Sequence, residues 1–190
     1  MTPRSWEHWV PYYEAKGYRV LTPTYPGFDA EVEALRRDPS IIANLTVPET
    51  VDHLASVIEA LEVAPFIVGH SFGGTLTQLL LARGLGSAGV VIDSAPTEGV
   101  RVTPLSQVRS LFPALKNPAN IHQAVGERDH IMPPSVNKSN ARHYKNSPAL
   151  TEYFEFEGRD HWTCAAPGWE AVADYALEWA AKQARTTART

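Results

Sequence analysis

The sequence predicts an α/β fold in which a mostly parallel sheet is flanked by helices. Short apolar runs alternate with amphipathic stretches along the chain. Two of the runs, Pro65-Phe66-Ile67-Val68 and Gly89-Val90-Val91-Ile92, are apolar almost throughout, as strands buried on both faces are. A glycine-rich turn from Gly69 to Gly74 joins the first of these runs to a helical stretch. No repeat, linker or low-complexity block interrupts the pattern, so residues 1–190 read as a single domain large enough to bury a core.

From the N-terminus, Trp6 to Ala15 reads as a helix, with Gly17 in the position that follows a helix end. Tyr18-Arg19-Val20-Leu21-Thr22-Pro23 reads as a strand running into the loop at Pro26-Gly27. Thr46-Val47-Pro48-Glu49 has the cap residue and the glutamate three positions on that make a capping box. Val47, Val51, Leu54, Ile58 and Leu61 then recur at helical spacing as one buried stripe. After the glycine-rich turn, Thr75 to Ala82 is predicted helical and is closed by Gly84, and the Gly89–Ile92 strand ends at Asp93. Pro104 to Leu115 can form a short helix, and Ile121 to Val125 a strand interrupted by His122 and Gln123. Pro134 to Tyr144 is predicted helical. Thr151 to Phe156 alternates as a strand does, with Tyr153 and Glu155 against Phe154 and Phe156. Trp169, Val172, Ala173, Ala176, Leu177 and Ala180 share one face of a final helix.

The formal net charge of -4 argues against a nucleic-acid partner, which would need a basic face. The single cysteine, Cys164, allows no intramolecular disulfide, which suits a reducing compartment. The N-terminal residues carry no apolar signal core, and no apolar run approaches the ~18 residues of a membrane span. These observations predict a cytoplasmic protein with no membrane partner.

Gly69-His70-Ser71-Phe72-Gly73 fits G-x-S-x-G, set between a buried strand and a helix. In so tight a turn the side chains two before and two after the serine would collide, so Gly69 and Gly73 have none. The serine hydroxyl is presented above the sheet, and the helix that follows directs amide groups and positive dipole toward it. Ser71 is thus the candidate nucleophile, the Phe72 amide a candidate oxyanion donor, and His70 a candidate to line the pocket or pack beside the serine. The competing reading is a glycine-rich anion-binding turn with an incidental serine.

With these residues in hand the chain resembles a member of the α/β-hydrolase superfamily, from about Trp6 onward. The superfamily orders its catalytic residues as serine, acid, histidine. Gly126-Glu127-Arg128-Asp129-His130-Ile131-Met132-Pro133 resembles its acid turn, and Gly158-Arg159-Asp160-His161-Trp162 its histidine loop before the last helix. The resemblance implies Asp129 as acid and His161 as base. Glu127 competes with Asp129, as does Asp93 at the end of its own strand. A metal site from Glu127, Asp129 and His130 fails on spacing, and no phosphate loop is present, so neither metal nor cofactor is expected.

Compared with the superfamily pattern, the first three strands of the usual eight and the early loop with the second oxyanion amide are missing. Tyr25, or the loop amides near Gly27, could stand in for that donor. The Tyr18–Pro23 and Phe66–Val68 strands would then pair directly, or a partner chain would fill the gap. Right-handed crossovers would lay the remaining strands in sequence order. Between Ala95 and Gly126 little chain is left for the cap of helices that relatives place there, so an open, shallow site is expected. Sheet edges left unpaired predict a homodimer. The implied activity is hydrolysis of small carboxylic esters through an acyl-enzyme. A catalytically inactive scaffold that serves as a binding module, and a lyase or cofactor-free peroxidase on the same fold, are the alternatives.

Overall fold

The computed structural model describes residues 3–29, 32–38, 40–96, 120–126, 129 and 132–187. The chain separates into two compact units, Met1–Leu61 and Glu62–Thr190.

In the first unit, a 3-10 turn at Pro3–Trp6 leads into α1 (Trp9–Glu14). Trp9 packs edge-on against Trp6 and Tyr13, at ring centroids of 5.1 and 5.5 Å. Gly17, at φ 87°, turns the chain out of the helix, and the Tyr18 amide donates back to the Tyr13 carbonyl. Residues 18–25 then run without strand pairing, which corrects the strand expected at Tyr18–Pro23. Alternating side chains are compatible with a strand, but a strand requires a partner ladder, and none forms here. Two short helices the sequence pattern did not suggest follow, α2 (Val32–Arg37) and α3 (Ser40–Ala43).

The helix α4 (Val47–Glu59) begins as expected. The Thr46 hydroxyl accepts from the Glu49 amide, and the Glu49 carboxylate accepts from the Thr46 amide at 2.9 Å. Val51, Leu54 and Ala55 are buried along its inward stripe. His53 donates from Nε2 to the Thr24 carbonyl at 3.0 Å, fixing the loop ahead of Tyr25 to this helix.

The second unit holds the sheet. Its strands are β1 (Phe66–His70), β2 (Ala88–Ile92), β3 (Asn120–Gly126) and β4 (Thr151–Phe156), all parallel and in sequence order. These four strands follow the expected sequence order, but β1 opens the sheet where pairing with Tyr18–Pro23 was expected. The hesitant run at Ile121–Val125 is a full strand, because neighbours on both sides supply the ladder that its own composition only weakly signals. α5 (Phe72–Ala82) follows β1, α6 (Pro134–His143) follows β3, and α7 (Trp169–Thr187) follows β4. The helix expected at Pro104–Leu115 lies outside the described residues.

Every residue of β2 is buried, so this strand needs cover on both faces. On one face Leu81 of α5 and Tyr144 pack on Val91. Gly89 shares that face, and a Cβ there would strike Leu81, so the glycine lets α5 come close. β4 divides its faces in the same way. Tyr153 and Glu155 meet Lys138 of α6, whose ammonium is 3.0 Å from the Glu155 carboxylate. Phe154 stacks on Tyr175 of α7 at 4.4 Å, and the Trp179 indole of α7 donates to Glu152 at 2.7 Å.

Replacing Thr46 with Ala removes the hydroxyl half of the capping box, leaving the main-chain amide that Glu49 accepts from, and is expected to destabilise the protein by about 1 kcal/mol. Urea unfolding at neutral pH measures it as a lower midpoint at unchanged slope.

Candidate active site

The sequence of β1 ends in a turn too tight for ordinary backbone. Ser71 sits at φ 55° and ψ −121°, between β1 and α5, in a region that costs a non-glycine residue on the order of 1–3 kcal/mol. Three hydrogen bonds hold it there. The Ser71 amide donates to the Ile92 carbonyl at 2.9 Å, and the Ser71 carbonyl accepts from Gly74 at 2.9 Å and from Ala95 at 3.1 Å. A Cβ on Gly69 would collide with the Gly73 carbonyl and the Thr77 hydroxyl, and one on Gly74 with the Ser94 side chain. Gly69 and Gly74 are therefore required by contact.

The loops after β3 and β4 bring two further side chains to this turn. His161 Nε2 lies 3.2 Å from Ser71 Oγ, and His161 Nδ1 lies 2.7 Å from Asp129 Oδ2. The second oxygen of Asp129 accepts from the Met132 amide at 2.8 Å. Asp129 and His161 are buried, at 2% and 7% exposure, so their interaction is little screened by water. An ionised carboxylate can only accept, so Nδ1 carries the proton and Nε2 is left to accept from the serine.

His70 is also buried, and its ring is 4.8 Å from that of His161. Its Nε2 donates to the main-chain carbonyl of His161 at 2.7 Å. Burial pushes its pKa down from 6.5 to about 4, so the ring is neutral at neutral pH and can act as a donor through Nε2. Phe72 is the first residue of α5, where amides have no acceptor within the helix, and its side chain is 39% exposed. Tyr25 belongs to the first unit, where its ring meets Phe28 edge-on at 5.8 Å and burial raises its phenol pKa.

Asp93, weighed in the sequence as a rival acid, is fully buried at φ 45° just past β2. One carboxylate oxygen of Asp93 and one ring nitrogen each of His70 and His161 lie within 4.8 Å of one another. His161 Nδ1, however, donates to Asp129 and not to Asp93. A cation among these three groups would compete with the contacts of His161 to Ser71 and Asp129, so the donor set does not fit a resident metal. Glu127 and His130 lie outside the described residues. Sequence reasoning missed the polar residues that anchor these loops, among them Gln78, Ser94, Asn137 and Asn140. Single polar residues, in a helix or just past a strand, carry no local pattern from which long-range pairing can be read.

The model of the alpha/beta hydrolase family matches residues 1–188. The chain belongs to this family. The structure of a monoacylglycerol lipase from Paleococcus ferrophilus is similar, at a TM-score of 0.70 and 17% identity over 96% of this chain and 90% of that one. A candidate non-heme bromoperoxidase from Mycobacterium tuberculosis gives a TM-score of 0.72 and 18% identity over 96% and 88% of the two chains. A pyrethroid hydrolase from Sphingobium faniae gives 0.67 and 14% over 92% of each. No curated protein matches. At these identities the solved structures establish the shared fold, a reduced form of which the chain has. No described helix is long and apolar enough to cross a membrane.

The unfolded His70 imidazole titrates near 6.5 and the folded one near 4. The unfolded chain therefore binds more protons between those values, and stability falls as pH drops through that window. Below about pH 4 this loss reaches about 3 kcal/mol. His70→Gln is expected to show a correspondingly smaller loss between pH 7 and pH 4 than the unsubstituted chain. Denaturant unfolding at several pH values tests this, and equal acid sensitivity of the two proteins would contradict it.

Proposed function

We propose that the chain is a cofactor-independent serine hydrolase acting on carboxylic esters. The observation that carries this reading is the continuous line from Ser71 Oγ through the His161 ring to Asp129, at 3.2 and 2.7 Å. In this reading Ser71 Oγ attacks the ester carbonyl while His161 Nε2 takes its proton. Asp129 keeps the imidazole in the tautomer that leaves Nε2 free to accept, and stabilises the imidazolium that forms. The Phe72 amide, at the positive end of α5, donates to the oxyanion. His161 returns its proton to the departing alcohol as the acyl-enzyme forms. A water then attacks the acyl carbon with His161 again as base, the carboxylic acid leaves, and Ser71 regains its proton.

Esters are favoured over peptides because an alkoxide leaves more readily than an amine anion, and the reading asks little of the oxyanion site. One donor fewer in that site typically costs about 2.7–4 kcal/mol of transition-state stabilisation, which an activated ester tolerates better than an amide. The lipolytic and pyrethroid-cleaving neighbours of the same fold are consistent with ester chemistry.

The chain is expected to hydrolyse p-nitrophenyl acetate or butyrate, and Ser71→Ala to lose more than ~10³-fold in kcat, down to background. Asp129→Asn, which favours the wrong tautomer, is expected to lose about 10⁴-fold with the fold intact. A fluorophosphonate should label Ser71 in the unsubstituted chain. Labelling without ester turnover would assign the site to other chemistry, and neither labelling nor turnover would make the chain a binding scaffold.

A further inference from the structure

The buried face of α6 carries two asparagines, Asn137 and Asn140, both at 0% exposure. An amide in a core is unfavourable unless its polar atoms are paired, so an apolar residue would serve packing better unless these groups have work to do. Asn137 Oδ1 accepts from the Ser94 amide at 3.0 Å, and its Nδ2 donates to the Met132 carbonyl at 3.3 Å. Each contact leads to the site. The Met132 amide donates to Asp129 Oδ1 at 2.8 Å, on the carboxylate that holds His161. Ser94 adjoins Ala95, whose amide donates to the carbonyl of Ser71 itself.

The segment at Ser94 and Ala95 is held from other directions as well. Gln78 donates to Ser94 Oγ at 2.9 Å and accepts from the Tyr144 hydroxyl at 3.0 Å. The Ala95 carbonyl accepts from Thr75 at 3.1 Å and from Asn140 at 3.4 Å. Asn137 ties the acid turn to this segment, through Met132 on one side and Ser94 on the other. The task suits an asparagine, which offers one acceptor and two donors on a short, rigid plane. Aspartate would lose the donor when ionised, and leucine would lose both.

We propose that Asn137 is a positioning residue for the hydrolytic reaction, fixing the orientation of Asp129 toward His161 relative to Ser71. The inference rests on the serine-hydrolase reading above. Through Asn137 the acid turn and the nucleophile turn share one rigid support, so the spacing of the three reacting side chains does not drift as the loops move. Loss of this support lets the Asp129 carboxylate swing from His161, which slows the reaction and weakens the stabilisation of the imidazolium.

The test compares Asn137→Ala, Asn140→Ala and Asn137→Asp, each also combined with Asp129→Asn. Rates are normalised to folded protein measured by circular dichroism. Asn137→Ala is expected to lower kcat about 10- to 100-fold with KM changed less than about 3-fold, the size of effect that a misplacement of about 1 Å produces. It should also move the acidic limb of the kcat/KM profile to lower pH. In the Asp129→Asn background the further loss should fall below about 3-fold, because the residue acts through that carboxylate. Asn140→Ala should leave the acidic limb in place. Asn137→Asp conserves shape, and its protonated form can still donate to Met132, so it remains informative if the alanine variant does not fold. It should add one ionisation to the profile, with activity falling as the new carboxyl ionises.

An equal loss in both backgrounds with an unmoved acidic limb, or an aspartate variant with an unchanged profile, overturns the positioning role. The rate of fluorophosphonate labelling of Ser71 repeats each comparison without ester turnover. Labelling without turnover therefore sinks the ester reading alone, and labelling rates that ignore Asn137 sink this one alone. A chain that neither labels nor turns over esters sinks both.

Discussion

The backbone at Ser71 is held at φ 55° and ψ −121°, and the rest of the second unit is arranged around keeping it there. A non-glycine residue in that region persists only where its surroundings over-determine it. Here the surroundings are the Ile92 carbonyl, the Gly74 amide and the Ala95 amide, which between them hold the peptide groups on both sides of the Ser71 Cα. Two of the three come from the end of β2 and the residues just beyond it. The turn at Ser71 is therefore built jointly by two strands, and the parallel register of β1 with β2, from Phe66 opposite Ala88 to His70 opposite Ile92, is a condition of its geometry.

The same constraint accounts for where small residues stand. Gly69 and Gly74 face backbone or side-chain atoms at distances that no Cβ could occupy. Gly89, one strand over, admits Leu81 and lets α5 rest on the sheet with its first-turn amides beside the serine. Packing in this region is polar as well as apolar: Gln78, Ser94, Tyr144, Asn137 and Asn140 form a paired, buried set on the side of the sheet covered by α5 and α6. A fully paired network of this kind rigidifies the loops it links, since breaking any member strands a polar group away from water.

His70 ties the turn at Ser71 to the loop of His161. Its ring donates to the His161 carbonyl, and burial keeps it neutral, so the residue before the proposed nucleophile holds the main chain of the proposed base. Asp93 sits close to both rings, yet the imidazole turns its Nδ1 to Asp129. Proximity alone does not choose between two carboxylates. The oriented loop does, with the Met132 amide aiming Asp129.

Much of this was legible in the sequence because it is local. The elbow depends on glycines at fixed offsets from Ser71, the start of α4 on Thr46 and Glu49, and β1, β2 and α7 on unbroken apolar patterns. The loops bearing Asp129 and His161 were placed by resemblance to a family whose order of residues they follow. The strand expected at Tyr18–Pro23 was not realised, since a strand exists only with a neighbour to pair with, and no property of six residues reports whether that neighbour is there. For the same reason β3 formed despite His122 and Gln123. The resemblance pointed to Asp129 with Asp93 as a competitor; the pairing of Asp129 with the His161 ring, the inward turn of His70, and the bridging by Asn137 were decided by tertiary structure. Each is a hydrogen bond between groups 32 to 91 positions apart. Its energy depends on distance and angle in the folded molecule, which one-dimensional order does not encode.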